Sequence, residues 1–154
     1  MQVKAFYDTR TNTITYVVFD KVTRDAVIID PVLDYDPLAS HVWHDSVEEV
    51  LQCVKQEKLL VHYILETHAH ADHLSGSQVL KDALPHARTA IGRRITEVQA
   101  LFKNLLGLPD TFPVDGRQFD RLLDDNEQLH AGSLIIKTLF TPGHTPACVT
   151  YQIG

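Results

Sequence analysis

The sequence lacks most of the features that would take it out of the ordinary globular class. It has only two cysteines, Cys53 and Cys148, and they form no CxxC pair. No run of about 20 apolar residues is present, so no stretch reads as a membrane-spanning helix. The opening segment Met1-Gln2-Val3-Lys4-Ala5 carries no apolar core of the secretory kind. Together these features predict reduced thiols in a cytoplasmic protein. Lys and Arg number 14 against 20 Asp and Glu, a net charge of -6, with no basic cluster, which argues against a nucleic-acid partner. No phosphate-cradling glycine loop and no nucleophilic Ser or Cys triad is visible. With 44% hydrophobic residues the chain is too apolar for disorder, and 154 residues suit one domain with a real core. What stands out is histidine: there are nine, and three fall within residues 68–73.

The first third reads as β-structure. Residues 3–7 and 13–19 are strand candidates rich in β-branched and aromatic side chains, separated by Asp8-Thr9-Arg10-Thr11-Asn12. Residues 26–29 form a short apolar run closed by Asp30-Pro31, as expected of a strand covered on both faces. Residues 31–43, with two prolines and several Asp, are expected to be a loop. Ser46 and Glu49 have capping-box spacing ahead of a helical face of Val47, Val50, Leu51 and Val54, which places Cys53 in the core. Residues 59–65 read as a central strand, with His62 a hydrogen-bonded core histidine. Leu74, Val79, Leu80, Ala83 and Leu84 suit a helix ending at Pro85, and Ile95, Val98, Leu101, Phe102, Leu105 and Leu106 suit another ending at Gly107. Residues 110–132 look acidic and irregular, with Asp120, Arg121, Asp124, Asp125 and Glu127 forming a solvated face. Strands are expected over 134–140 and 148–153. The pattern is α/β, with mixed sheets flanked by helices.

The chemistry is concentrated in Thr67-His68-Ala69-His70-Ala71-Asp72-His73, directly after the central strand. In extended backbone, residues two apart point to the same side, so His68 and His70 can converge on one ion. Asp72 and His73 fall where the chain turns toward the next helix and could serve a neighbouring ion. Asp72 could instead cap that helix. Mixed His and carboxylate donors suit zinc, iron(II) or manganese rather than Ca²⁺ or Mg²⁺.

One segment rarely completes a metal site, and His144 in the stiff loop Thr141-Pro142-Gly143-His144-Thr145-Pro146 is the second source. The other histidines, His41, His44, His86 and His130, read as solvated surface. Cys148 reads as a packing residue close to the His144 loop. Asp30 is either a turn residue or an acceptor steadying a metal-bound histidine.

These residues resemble the metallo-β-lactamase superfamily. His68-Ala69-His70-Ala71-Asp72-His73 matches its HxHxDH signature, and Thr141-Pro142-Gly143-His144-Thr145 its second ligand loop. Within the superfamily the likeness is greatest to the persulfide dioxygenases, whose motif resembles Glu66-Thr67-His68-Ala69-His70-Ala71-Asp72-His73-Leu74-Ser75-Gly76-Ser77 with a small residue at Ala69. The resemblance implies an α/β (α+β) fold, the αββα sandwich, of which residues 1–154 are expected to form the N-terminal half or so. It implies oxidation of glutathione persulfide by O₂ at a mononuclear Fe(II) held by His68, His144 and an Asp expected beyond Gly154, with His70, Asp72 and His73 less directly engaged. The alternative is a Zn(II) thioester hydrolase of glyoxalase II type, in which His70, Asp72 and His73 also serve metal. A third reading, of another class, is an inactive metal-binding fragment: alone, the 154 residues are expected to bind metal weakly and to aggregate or pair as a homodimer.

Overall fold

The computed structural model describes residues 1–70 and 73–154. Among the described residues, twelve strands and three helices follow in the order β1 (Gln2–Asp8), β2 (Thr13–Phe19), β3 (Asp25–Ile29), β4 (Val32–Asp36), β5 (His41–Trp43), α1 (Asp45–Gln56), β6 (Leu60–Glu66), β7 (Leu74–Ser75), α2 (Ser77–Ala83), β8 (Arg88–Gly92), α3 (Ile95–Leu105), β9 (Arg121–Leu123), β10 (Gln128–Ala131), β11 (Leu134–Phe140) and β12 (Val149–Ile153).

A strand apolar on both faces needs cover on both, and β3 shows how that cover is arranged. Its Ala26 and Ile28 join Val47, Val50 and Val54 of α1 and Leu80 of α2 in one core. Val27 and Ile29 point the other way and meet Leu129, Ala131, Leu134 and Ile136 in a second. The layers are therefore helices, a six-stranded sheet ordered β1-β2-β3-β6-β8-β9, and a three-stranded sheet β10-β11-β12. The large sheet is antiparallel from β1 to β3 and parallel from β3 through β6 and β8 to β9. A small sheet, β5-β4-β7, lies beside it. No described helix is long and apolar enough to cross a membrane.

Most expected elements are present within a residue or two, and the differences have local causes. Residues 31–43 are not a plain loop but contain β4 and β5. The Asp-rich composition hid a strand whose Asp34 turns inward and accepts from Ser46 N and Oγ, at 2.8 Å each. That carboxylate also replaces the expected capping box: α1 begins at Asp45 after His44, which makes no side-chain cap, and the cap comes from a neighbouring strand instead. Leu74 and Ser75 are not the start of a helix. They pair with Leu33 and Val32, and α2 starts only after Gly76, where an added Cβ would lie 2.8 Å from the Val32 carbonyl oxygen. The 110–132 stretch holds β9 and β10. Its charges are largely paired, Asp120 with Lys81 at 2.7 Å, Asp124 with Arg93 at 2.6 Å, and Glu127 with Arg121. Strand β8, only five residues long, had no separate signal.

His62 is the bonded histidine that its strand position suggested. Its Nε2 lies 2.6 Å from Asp25 Oδ1, while Asp25 Oδ2 accepts from Ser133 N at 2.8 Å, tying β3 and β6 to the β10–β11 turn. Gly132 in that turn has φ +61, and a Cβ there would fall 2.0 Å from the Asp25 carboxyl carbon. The His62 bond, then the Ser133 amide, hold the Asp25 acid well below the usual carboxylate range. A depressed carboxylate stabilises the fold above its unfolded value near ~3.9 and loses that contribution as pH falls toward its folded value. The stability gap between wild type and His62→Ala should therefore be steady near neutrality and narrow below pH ~4 in acid-titrated denaturant melts; a gap independent of pH would remove His62 as the holder.

Candidate metal centre

Ligands in open parallel sheets gather at the carboxyl ends of the strands. Here β3 and β6 run parallel with Ile29 beside Leu65, so the residues that follow them, Asp30 on one and Glu66 and Thr67 on the other, are neighbours. The Asp30 amide donates to the Leu65 carbonyl at 2.9 Å. Asp30 takes φ +49, a left-handed conformation that Asp tolerates better than most residues, and this aims its carboxylate across at the histidine segment. One oxygen accepts from Thr67 N and the other from Thr67 Oγ1, both at 2.7 Å. Asp30 is thus both the turn residue and the steadying acceptor that the sequence left as alternatives.

The far end of the chain is sewn to the same place. Val149 N donates to the Thr67 carbonyl at 2.9 Å, and Tyr151 Oη to the Glu66 carbonyl at 2.8 Å. This brings the 141–148 loop over the β6 terminus. Cys148 braces the loop, with Thr145 N at 3.2 Å and Thr145 Oγ1 at 3.0 Å from its sulfur, which agrees with a packing role. The result is a cluster of four imidazoles. Ring centroids lie 4.1 Å apart for His68 and His70, 4.3 Å for His70 and His73, and 5.0 Å for His68 and His144, the last pair edge to face. The structure thus brings together four of the five expected ligands; Asp72 lies outside the described residues. His41, His44, His86 and His130 are exposed, and His62 sits near the start of β6, at the end remote from the cluster.

The hydrogen bonds around these rings determine which nitrogens present lone pairs. The Thr67 hydroxyl has one proton and gives it to Asp30. It must therefore accept from His68 Nδ1, 2.9 Å away, which puts the lone pair on His68 Nε2. His73 Nδ1 donates to the Leu74 carbonyl at 3.0 Å, and its Nε2 is buried with no hydrogen-bond partner. His70 Nε2 lies 3.2 Å from Asp30 and 3.3 Å from Glu66, which leaves Nδ1 as its metal-facing atom. Imidazoles oriented by carboxylates, with an orphaned buried nitrogen among them, are, once deprotonated, the donor set that borderline first-row metals favour, so the residues fit such an ion.

Asp30, Glu66 and His70 themselves offer three ligand atoms within 4.8 Å of one another. Both carboxylates lie close to His70 Nε2, but only Asp30 Oδ1 is hydrogen-bonded to it; Glu66 Oε2 is buried without a hydrogen-bond partner among the described residues, and the trio acts as an orienting shell behind the imidazoles. Burial opposes charge on His70, but Asp30 and Glu66 beside it outweigh that and push its pKa up to about 10. Burial likewise works against the Asp30 anion but yields to His70 and Thr67, so Asp30 titrates low. Burial prevails at Glu66 and raises it, although Ser75 and Ser77 donate to its Oε1. Sequence reasoning missed Glu66, Ser75 and Ser77 as supports; the signal was an acid ending an otherwise apolar strand.

His70, His73 and Leu74 also form one wall of a cavity of about 650 Å³. The same cavity is lined by Arg10 of the β1–β2 turn and by Tyr35 and Trp43 of the small sheet.

The profile of the metallo-β-lactamase superfamily matches residues 9–154, and the chain belongs to that superfamily. Among named proteins it is 44% identical over 153 residues to a probable metallo-hydrolase of Burkholderia pseudomallei, covering 99% of this chain and 52% of the relative. It is 40% identical over 152 residues to glyoxylase B2 of Dictyostelium discoideum, again covering 99% of this chain and 52% of the other. Human mitochondrial persulfide dioxygenase ETHE1 is 32% identical over 142 residues, 92% of this chain and 44% of that protein. The crystal structure of ETHE1 from Myxococcus xanthus superposes with a TM-score of 0.74 at 25% identity, covering all of this chain and 54% of that one. The chain spans about half the length of the curated relatives it matches.

Proposed function

We propose that the chain provides the histidine face of a persulfide dioxygenase that converts glutathione persulfide, O₂ and water to glutathione, sulfite and two protons. In that overall reaction the sulfur–sulfur bond breaks, the outer sulfur gives up four electrons, and O₂ accepts them. His68 and His144 would hold the iron, with a carboxylate supplied from outside these residues. Bound iron(II) supplies the redox change that zinc lacks and open positions for sulfur and O₂. The chain's own groups orient and shield. Asp30, through Thr67, holds the His68 tautomer, and Glu66 with Asp30 keeps a proton on His70 Nε2 beside the cavity.

The observation that carries this reading is the meeting of His68 with His144 while His70 is turned by its Nε2 to two carboxylates. Similarity to proteins named persulfide dioxygenase supports it. The test is metal analysis of the purified protein and O₂ uptake on glutathione persulfide. Iron with O₂ consumption is expected; zinc with thioester hydrolysis and no O₂ uptake would overturn it. That second outcome is the competing reading, a thioester hydrolase, and the unpartnered His73 Nε2, suited to a second ion, is what favours it.

A further inference from the structure

The cavity beside the histidines has an uneven chemistry. Three aspartates line it, and each has at least one oxygen held by nearby amides or hydroxyls. Asp8 accepts from Thr11 N and Oγ1 at 2.9 and 2.6 Å, Asp34 from Ser46, and Asp36 from Leu38 N and Ala39 N at 2.9 and 3.2 Å. Arg10 is the opposite case. Its guanidinium carbon sits 4.3 Å from the Trp43 ring centroid, and its nearest carboxylate, Asp34, is 3.9 Å away. Among the described residues the side chain makes no hydrogen bond at all. A seat over the ring restrains the guanidinium without using its donors. The Asp34 contact, with the Arg10 side chain 58% exposed, is of the kind that contributes little. A pre-positioned fork with idle N–H groups, in a cavity within the ~300–1,000 Å³ range of small-molecule sites, is suited to a bidentate oxyanion.

We propose that Arg10 is a specificity-determining residue: it takes a carboxylate of the substrate on the Trp43 platform and seats a carboxylate-bearing sulfur compound across the cavity, its sulfur end toward His70 and His73. The choice of a glutathione-type compound rests on the function proposed above; the role of Arg10 as a carboxylate receptor does not require iron or O₂. Arg10 and Trp43 come from a turn and a short strand far apart in sequence, and Trp43 lies opposite Asp34 in the β4–β5 pairing, so the receptor is assembled by the small sheet.

Trp43 is the only tryptophan of the chain and reports occupancy directly. The experiment titrates metal-free protein with S-methylglutathione and with its dimethyl ester, following Trp43 emission. Wild type is expected to saturate. Arg10→Gln should weaken binding by about tenfold or more, and Arg10→Lys by less, because an ammonium keeps charge but loses the fork. The ester should bind wild type as weakly as the acid binds Arg10→Gln, and should lose nothing further on that variant. Far-UV circular dichroism and a thermal melt check that the exposed turn tolerates the changes. Equal affinity of wild type and Arg10→Gln, equal affinity for acid and ester, or no saturable response would overturn the inference. Because metal and O₂ are absent, a protein that proved to be a hydrolase could still pass, and a true dioxygenase could still fail.

Discussion

Replacing His144 with alanine is expected to weaken metal binding by more than ~100-fold, since loss of even an outer-shell partner commonly costs 10–100-fold. The same variant without metal should melt within ~0.5 kcal/mol of wild type. His144 is exposed, on a loop held by Val149, Thr145 and Cys148 rather than by its own ring. Chelator competition measures the first quantity and a melt of the stripped protein the second. His41→Ala, on the small sheet, is the control and should change neither. Unaltered metal affinity in His144→Ala would break the centre as described, because no other described residue of the 141–148 loop brings an imidazole to His68.

Asp30→Ala is expected to be the most damaging single change near the site. It strips acceptors from Thr67 N and Thr67 Oγ1 and removes the partner of His70, all at a position with φ +49. Breaking a buried charged pair costs ~3–5 kcal/mol, and a left-handed backbone adds ~1–2 kcal/mol for a residue that resists it. Asp30→Asn separates these contributions. Asparagine tolerates the backbone and can still accept from Thr67, so most stability should remain. The anion behind His68 and His70 is gone, however, and metal affinity should fall ~10–100-fold. Denaturant melts of both variants, with metal titrations of the second, check this. Equal stability of Asp30→Ala and wild type would show that the network does not hold the β3 and β6 ends together.

The histidine cluster was legible because ligand spacing after a strand is a local property. His68 and His70 need only alternation, and His144 needs only a rigid loop. The strands 13–19 and 134–140 were legible for the same reason, being long and strongly patterned. What escaped was nonlocal. Asp34 looked like loop composition because its reason for being there, the α1 amides, lies twelve residues away. Leu74 and Ser75 fitted a helical face until β4 was present to pair with them. Glu66 has no meaning as a support until Ser75, Ser77 and His70 surround its carboxylate. Arg10 was read only as turn chemistry, since nothing in the chain order announces that Trp43 will lie beneath it.

The stitch from the Val149 amide to the Thr67 carbonyl joins positions more than eighty residues apart. The histidines of the first segment are made well before His144, which follows His68 by more than seventy residues. During synthesis, then, a nascent polypeptide has a half-formed cage that cannot retain a cation until its closing hairpin has left the ribosome and docked. Loading is thereby deferred until that segment has docked, and a captured ion would act as a clasp on a contact between distant parts of the chain.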